Sequence, residues 1–226
     1  MKTSIIVPVF NEEKTVAEIL EKLSQLKIEK EIIIINDGST DKSLEKIKQF
    51  IKNKKNFKVF SFSKNKGKGA AVRKGISLST GSIIIIQDAD LEYDPQEIVK
   101  LITLIKNKKA KVVYGSRFTG ERRNMFFWHM IGNRFLSLIT NILYDTTLSD
   151  MEVGYKAIKR DVLEKINLSA SRFDFEPEIT AKILKRGIRI YEVPISYCGR
   201  ERHEGKKITW KDGVVAIWTL FKNRLF

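Results

Sequence analysis

The chain of 226 residues is long enough for one α/β domain with a sizeable core. Its 42 Lys and Arg against 27 Asp and Glu give a formal net charge of +15, which favours an anionic partner (nucleic acid, anionic lipid or a phosphorylated substrate), although basic side chains can also simply solvate the surface. Cys198 is the only cysteine, which excludes an intramolecular disulfide and a metal site built on several thiolates, and indicates a reducing compartment.

The first half of the chain alternates strand and helix patterns. Apolar, β-branched runs predict strands at residues 4–9, 31–36, 57–62, 82–87 and 111–114. Helical patterns lie between them, at residues 12–26, from the turn at 37–41 to about 51, at 67–79, and from 95 to about 107. This alternation predicts a parallel sheet covered by helices on both faces, in which ligands bind beyond the carboxyl ends of the strands.

The second half is less regular. Its patterns predict helices at 124–144, 161–166 and 178–186, a strand at 188–197, a basic loop at 199–207 and an amphipathic helix at 208–226. Because no repeat or linker interrupts the chain, we expect a single domain with a C-terminal extension. The N-terminal apolar run is too short for a signal peptide, and neither 126–143 nor 214–221 is expected to span a bilayer.

The strongest motif is an acidic turn directly after a strand of four isoleucines. Asp88 and Asp90 are two residues apart, so they can share a divalent cation, or one can bind metal while the other meets a ribose hydroxyl. Hard oxygen ligands suit Mg²⁺ or Mn²⁺, which also bridge substrate phosphates. The alternative is an acidic turn that caps the helix beginning at Pro95.

Two other strand ends carry polar residues. Asp37 follows the second strand and can bind a nucleobase or a ribose, although helix capping by Ser39 or Asp41 explains the same turn. The first strand ends in Phe10-Asn11-Glu12, where a nucleobase can rest on the backbone and on Phe10. A plain helix N-cap at Asn11 is an equally good interpretation of that segment.

Basic side chains follow the fifth strand. Arg117 stands at the strand end, and further basic residues occur at 122–123 and in the loop at 199–207. An arginine fork binds phosphate through two hydrogen bonds, whereas solvated surface charge is the usual alternative. The segment 66–71 lacks the phosphate-loop pattern, so its glycines are expected to allow tight entry into a helix. No dinucleotide fingerprint follows the first strand, which disfavours a kinase, an NTPase or a dehydrogenase.

Five segments, taken in order, resemble one family. They are Pro8 to Glu12, Asn36 to Ser39, Asp88 to Asp90, Gly115 to Arg117, and the loop with Arg200 and Lys206. The set resembles the inverting glycosyltransferases of family 2, with the GT-A fold, in particular the dolichyl- or polyprenyl-phosphate mannosyl- and glucosyltransferases. Residues 150–156 and 192–197 resemble the same branch, so the likeness covers nearly the whole chain.

The resemblance implies a set of site residues. Donor contacts would come from Pro8, Phe10, Glu12, Ile35, Asp37, Asp88, Ala89 and Asp90, and a Mg²⁺ or Mn²⁺ ion would be held by Asp88, Asp90 and Glu92. Residues 1–118 would form the nucleotide-sugar-binding half, and residues 119–226 the acceptor and membrane-facing half. Phe10 stands where tyrosine is often found, and Glu92 where mannosyl enzymes often have glutamine, which leaves the donor sugar open.

The implied reaction is the inverting transfer of a hexose to dolichyl or polyprenyl phosphate. GDP-mannose is slightly favoured as the donor over UDP-glucose and UDP-N-acetylglucosamine. A lipid monophosphate is largely dianionic at neutral pH and needs no general base. Catalysis would therefore be charge screening and positioning, with a metal on Asp90 and its neighbours and with Arg117, Arg200 and Lys206 holding the donor and acceptor phosphates.

Two segments predict contact with a membrane. Aromatic and basic residues mix at 125–134 and 208–226, as in interfacial helices, although core packing or a dimer interface explains the same pattern. We therefore expect a cytoplasmic protein associated peripherally with the membrane, and a membrane-embedded partner or a homo-oligomer stays open.

One rival function is a family 2 enzyme that acts on a hydroxyl acceptor in capsule or cell-surface glycan synthesis, which would need a carboxylate base. Asp150, Glu152, Glu176 and Glu178 are open to site or structural roles. Nucleic-acid binding is not expected, because carboxylates at the strand ends would repel a phosphate backbone.

Overall fold

The isoleucine-rich runs form the centre of a seven-stranded sheet in a computed structural model, which describes residues 1–123, 125–199 and 210–226. The strands are β1 (Thr3–Val9), β2 (Lys30–Asn36), β3 (Phe57–Ser61), β4 (Ile83–Ile86), β5 (Val112–Ser116), β6 (Lys156–Lys159) and β7 (Tyr191–Pro194). Their order across the sheet is β3-β2-β1-β4-β6-β5-β7. The central strands are buried on both faces, which explains why they are continuous apolar runs instead of alternating patterns.

The predicted α/β class and the mostly parallel sheet are confirmed. Every strand pair is parallel except the two that involve β6, which runs antiparallel to both β4 and β5. The sequence did not predict β6, because its four residues, Lys156 to Lys159, lack a β-branched run. This strand places the loop before it at the carboxyl ends of β4 and β5.

The helices are α1 (Val16–Gln25), α2 (Ser43–Ile51), α3 (Lys68–Leu78), α4 (Ile98–Lys106), α5 (Phe127–Tyr144), α6 (Arg160–Leu163), α7 (Phe175–Lys185) and α8 (Trp210–Leu225), with a 3₁₀ turn at Pro95–Glu97 before α4. Most predicted boundaries differ by a few residues. The helix expected at residue 12 begins at Val16, because Asn11 adopts a left-handed φ of 54° and a turn precedes the helix. The predicted N-cap role of Asn11 is therefore wrong.

Helices α5, α7 and α8 pack together beside the sheet. A small apolar cluster joins them, with Leu136 and Tyr144 from α5, Ala181 from α7, and Ala216 and Leu220 from α8. The outer surfaces of α5 and α8 remain apolar, since Trp128 is 77% and Trp218 is 66% exposed. Within the described ranges, none of the helices combines the length and the apolar character needed to cross a bilayer.

Candidate active site

A cleft of about 1000 Å³ opens at the carboxyl ends of the strands, where ligands bind in open α/β sheets. The predicted site residues that line it are Pro8, Phe10, Glu12, Asp37, Asp88, Ala89, Asp90, Glu92 and Arg117. Ile35 does not line the cleft, because its side chain is wholly buried within β2. Arg200 and Lys206 lie outside the residues that the structure describes.

The acidic turn after β4 is held in one conformation. Leu91 adopts a left-handed φ of 62°, and the Asp90 carboxylate accepts a hydrogen bond from the Glu92 backbone N–H at 3.1 Å. On the other side of the turn, Gly154 approaches Asp88 so closely that a Cβ atom there would lie 2.5 Å from the carboxylate oxygen. A left-handed non-glycine residue costs free energy, and such residues cluster at functional sites. The turn therefore places two carboxylates, Asp88 and Asp90, in the cleft.

The predicted three-carboxylate metal site is not assembled. The Glu92 carboxylate instead accepts a hydrogen bond from the Tyr197 hydroxyl at 3.1 Å. Across residues 1–123, 125–199 and 210–226, no three His, Cys, Asp or Glu side chains gather closely enough to hold an ion. Asp88 and Asp90 still supply hard oxygen atoms to the cleft, which fits Mg²⁺ or Mn²⁺ if a diphosphate and water supply the other ligands.

Lys68, at the start of α3, is the residue that sequence reasoning missed. Its ammonium lies 2.9 Å from Asp88 Oδ1 and 2.9 Å from Glu176 Oε1. Burial disfavours the charged form, but the two carboxylates outweigh it and hold the pKa of Lys68 well above its ordinary value. Lys68 is therefore a permanent positive charge beside the acidic turn. Glu176, at the start of α7, completes this bridge.

The glycines around Lys68 have the role predicted from the sequence. Gly67 has a φ of 94°, and a Cβ atom on Gly69 would lie 2.7 Å from the Ala170 carbonyl oxygen. Only glycine allows so close an approach of two backbone segments. Tight entry into α3 thus brings the Lys68 side chain to the carboxyl end of β4.

Arg117, at the end of β5, is held by Asp150. The Arg117 Nε and Nη2 atoms each donate a hydrogen bond of 2.7 Å to the Asp150 carboxylate, and the Arg117 backbone N–H donates a third of 3.0 Å. The Glu192 carboxylate on β7 fixes the same loop by accepting from the backbone N–H groups of Ser149 and Asp150. Asp150, which the sequence left open, therefore orients the predicted phosphate-binding arginine.

Asp37 ties the end of β2 to the segment before α3. Its carboxylate accepts hydrogen bonds from the Asn65 side chain at 2.9 Å and from the backbone N–H groups of Lys66 and Gly67 at 2.8 Å each. The helix-capping alternative holds in part for Asp41, which accepts from the backbone N–H groups of Glu13 and Ser43. Asp37, which was predicted to contact the donor, thus lines the cleft and holds the segment before α3 against the end of β2.

The cleft continues away from the carboxylates between α5 and α8. Its walls there carry mostly apolar side chains and two glycines, Gly132 on α5 and Gly213 on α8. A Cβ atom on either glycine would meet nothing within 4 Å, so both face open space. One end of the cleft is therefore charged and the other is apolar.

Comparison with known proteins identifies the family. The model of glycosyl transferase family 2 matches residues 4–167, which is more than half of the chain. The chain belongs to glycosyl transferase family 2. The predicted family and the expectation of a glycosyltransferase enzyme are thereby confirmed.

Two curated archaeal relatives of this glycosyltransferase are about equally similar to it. A dolichol-phosphate mannosyltransferase of Pyrococcus furiosus is 29% identical over 212 residues, covering 91% of this chain and 59% of its own length. The low-salt glycan biosynthesis hexosyltransferase Agl6 of Haloferax volcanii is 29% identical over 205 residues, covering 88% of this chain and 48% of its own length. The chain thus spans about half of each relative.

A solved structure confirms the GT-A type of fold. Glucosyl-3-phosphoglycerate synthase from Mycobacterium tuberculosis, in complex with Mn²⁺, UDP and glucosyl-3-phosphoglycerate, superimposes with a TM-score of 0.77 at 18% identity. The superposition covers 98% of this glycosyltransferase and 79% of the synthase chain. At this identity the likeness concerns the fold alone.

Proposed function

We propose that this glycosyltransferase transfers a hexose, with inversion, from a nucleotide sugar to a dolichyl or polyprenyl phosphate. The observation that carries the proposal is the division of one cleft into a charged end at Asp88, Asp90 and Arg117 and an apolar end between α5 and α8. A soluble acceptor would need no apolar extension, whereas a lipid-linked phosphate needs both. The dolichol-phosphate mannosyltransferase of Pyrococcus furiosus supports this acceptor class and favours mannose as the transferred hexose, with GDP-mannose as the donor predicted from the sequence.

In this proposal the donor diphosphate lies at the acidic turn. Asp88 and Asp90 would hold Mg²⁺ or Mn²⁺, which would offset the charge that develops on the leaving diphosphate. The binding of Mn²⁺ and UDP by the Mycobacterium synthase supports a metal in the same fold. The Asp37 wall and the segment from Pro8 to Glu12 would position the nucleoside, since both line the cleft beside the turn.

The acceptor phosphate approaches from the apolar end in this proposal. Arg117 would hold it through the guanidinium N–H groups that Asp150 does not engage, and Arg200 and Lys206 would make the further phosphate contacts predicted from the sequence. One oxygen of the acceptor phosphate forms a bond to the anomeric carbon while the bond to the donor diphosphate breaks, which inverts that carbon. The work of the protein is then orientation and charge screening, because the acceptor is already anionic.

Contact with a membrane completes the proposal. The surfaces of α5 and α8 carry exposed Ile142, Trp218 and Leu225, together with exposed Trp128, which also lines the cleft, and these side chains suit the boundary between headgroups and acyl chains. Lys222 and Arg224 in the last turn of α8 suit anionic lipid. The protein would therefore work at the membrane surface, where its acceptor resides.

A transfer panel tests this function. The purified enzyme is offered GDP-mannose, UDP-glucose and UDP-N-acetylglucosamine, each with polyprenyl phosphate or with free sugars, in Mn²⁺, Mg²⁺ or EDTA. We expect transfer to polyprenyl phosphate alone, its loss in EDTA, and its loss in Asp90→Ala at any Mn²⁺ concentration. The exposed Glu164→Ala variant is the matched control and should keep full activity. Transfer only to hydroxyl acceptors, or full activity of Asp90→Ala, would refute the proposal.

A further inference from the structure

Two carboxyl oxygen atoms in the charged end of the cleft have no hydrogen-bond partner. They are Glu152 Oε1 and Glu176 Oε2, both of which are buried from solvent. Both residues line the cleft. A buried polar atom without a partner costs free energy, so such atoms in a binding cleft indicate groups that a ligand satisfies.

Glu152 is held in place from both sides. The ammonium of Lys156 donates hydrogen bonds to the carbonyl oxygens of Met151 and Val153, the two residues that flank Glu152. Lys156 is almost fully buried, and its Nζ atom lies 4.4 Å from the centre of the Tyr114 ring. The backbone around Glu152 is thus fixed by an internal cation, which leaves the glutamate carboxyl directed to the cleft.

Glu176 is held by the bridge already described. Its Oε1 atom pairs with Lys68, which also pairs with Asp88, so Oε1 is engaged while Oε2 is not. Only the Lys68 side chain therefore separates the Glu176 carboxyl group from Asp88 in the acidic turn, where the proposed diphosphate lies.

The ionisation of Glu152 adds to its binding capacity. Burial raises the pKa of its carboxyl, and the negative charge of Glu176 raises it further. A protonated carboxyl carries one donor and retains acceptor capacity, whereas a carboxylate only accepts. The two glutamates therefore offer a hydrogen-bond donor and acceptors to the same cleft, which matches the hydroxyl groups of a sugar.

From this geometry we infer that Glu152 and Glu176 bind the hydroxyl groups of the transferred hexose and set the choice of donor sugar. The inference rests on the proposed function, because it assumes a nucleotide sugar at the acidic turn. It assigns no proton transfer and no covalent step to either residue. Lys156 and Lys68 act as positioning residues for the two carboxyl groups.

Binding measurements separate the sugar from the nucleotide. Dissociation constants are measured by calorimetry, in Mn²⁺, for the bare nucleoside diphosphate and the intact nucleotide sugar, using whichever of GDP and UDP binds the wild-type enzyme. In Glu152→Ala we expect the affinity for the nucleotide sugar to fall at least about tenfold, because hydrogen bonds to a buried carboxyl are lost. The affinity for the bare nucleoside diphosphate should stay within about twofold.

Deoxygenated donors identify the contact. Nucleotide sugars that lack one hydroxyl at a time are compared on the wild type and on Glu152→Ala, as in a double-mutant cycle. For one hydroxyl, we expect the penalty of its removal to disappear in the variant. Glu176→Gln, which keeps the size of the side chain but replaces the carboxylate by an amide, should change the penalty of a different hydroxyl.

The possible results distinguish failure of the sugar-binding inference from failure of the proposed function. Equal losses for nucleotide and nucleotide sugar would mean that Glu152 only supports the fold, and unchanged deoxygenation penalties in both variants would overturn the inference. If Glu152→Ala fails to fold, Glu152→Met, which keeps the length of the side chain but removes its hydrogen bonds, is measured in the same way. Failure of the wild type to bind either nucleoside diphosphate would instead refute the proposed function, and this inference with it.

Discussion

The Arg117 guanidinium and the Asp150 carboxylate meet side by side, with both N···O distances at 2.7 Å. Asp150 is fully buried and Arg117 nearly so, which makes the pair a buried ion pair instead of a surface contact. The guanidinium is thereby fixed in one plane at the wall of the cleft. Any role of Arg117 toward a phosphate depends on this fixed orientation.

Removing one partner of this pair should be costly. In Asp150→Asn the amide cannot accept both hydrogen bonds, and the buried guanidinium loses its counter-charge, so we expect the free energy of unfolding to fall by about 3–5 kcal/mol. Urea denaturation measures the loss. Asp161→Asn is the control, because the Asp161–Lys159 pair is well exposed and should contribute at most about 1 kcal/mol. Equal, small losses in both variants would contradict the prediction.

Glu31 predicts an acid-sensitive contribution to stability. Although burial alone would raise the pKa of Glu31, hydrogen bonds from Ser4 at 2.6 Å and from the Thr80 backbone and hydroxyl outweigh it, so the pKa lies well below its ordinary value. A lowered folded-state pKa gives a contribution that is complete above the unfolded value, about 4.3, and is lost as the pH falls through the folded value.

Glu31→Gln should therefore lower the free energy of unfolding by about 1–3 kcal/mol at pH 7. The difference from the wild type should shrink as the pH is lowered from 5 to 3, and urea denaturation at pH 7, 5 and 3 measures it. Glu29→Gln is the matched control, since Glu29 is exposed and pairs only weakly with the N-terminus. A pH-independent difference for Glu31→Gln would show that the carboxylate charge is not the cause.

The exposed tryptophans of α5 and α8 predict binding to vesicles. Trp128→Ser combined with Trp218→Ser should lower the partition coefficient on phosphatidylcholine–phosphatidylglycerol vesicles at least about tenfold, because two large apolar surfaces are lost. Added salt should weaken the binding of the wild type by screening its basic residues.

Co-sedimentation measures this binding, and thermal denaturation should be unaffected, since neither tryptophan is buried. Tyr191→Ser serves as the control, because Tyr191 is an exposed aromatic residue on β7, away from both helices. Absence of binding by the wild type, or equal binding by the double variant, would count against the membrane-facing surface.

The strands of the first half were predictable because they obey a simple physical rule. A strand buried on both faces must be apolar throughout, and the isoleucine runs 32–35 and 83–86 meet that demand with no competing helical period. The antiparallel β6 was not predictable, because Lys156 stands at its start. A buried lysine is stabilised there by carbonyl oxygens and by nearby carboxylates, and the sequence alone cannot place either.

The candidate site likewise contains residues that could be predicted from the sequence and residues that could not. Side chains that follow strands, such as Asp88, Asp90 and Arg117, could be placed at one edge of the sheet from the sequence alone. Lys68 and Glu176 could not, because they come from the first turns of α3 and α7 and meet only through tertiary packing. The hydrogen bond between Glu92 and Tyr197 could not be predicted either, because it joins residues 105 positions apart in the chain.

The position of β6 between β4 and β5 also bears on the design of chimaeras. If the predicted nucleotide-sugar-binding and acceptor halves were exchanged between relatives, the junction would lie near residue 118, just after β5. A segment ending there would lack the strand to which both β4 and β5 are hydrogen-bonded, and would expose an unpaired edge of β4. A workable graft would have to carry residues 149–159 along with the first 118, since they supply both the missing strand and the carboxylate that orients Arg117.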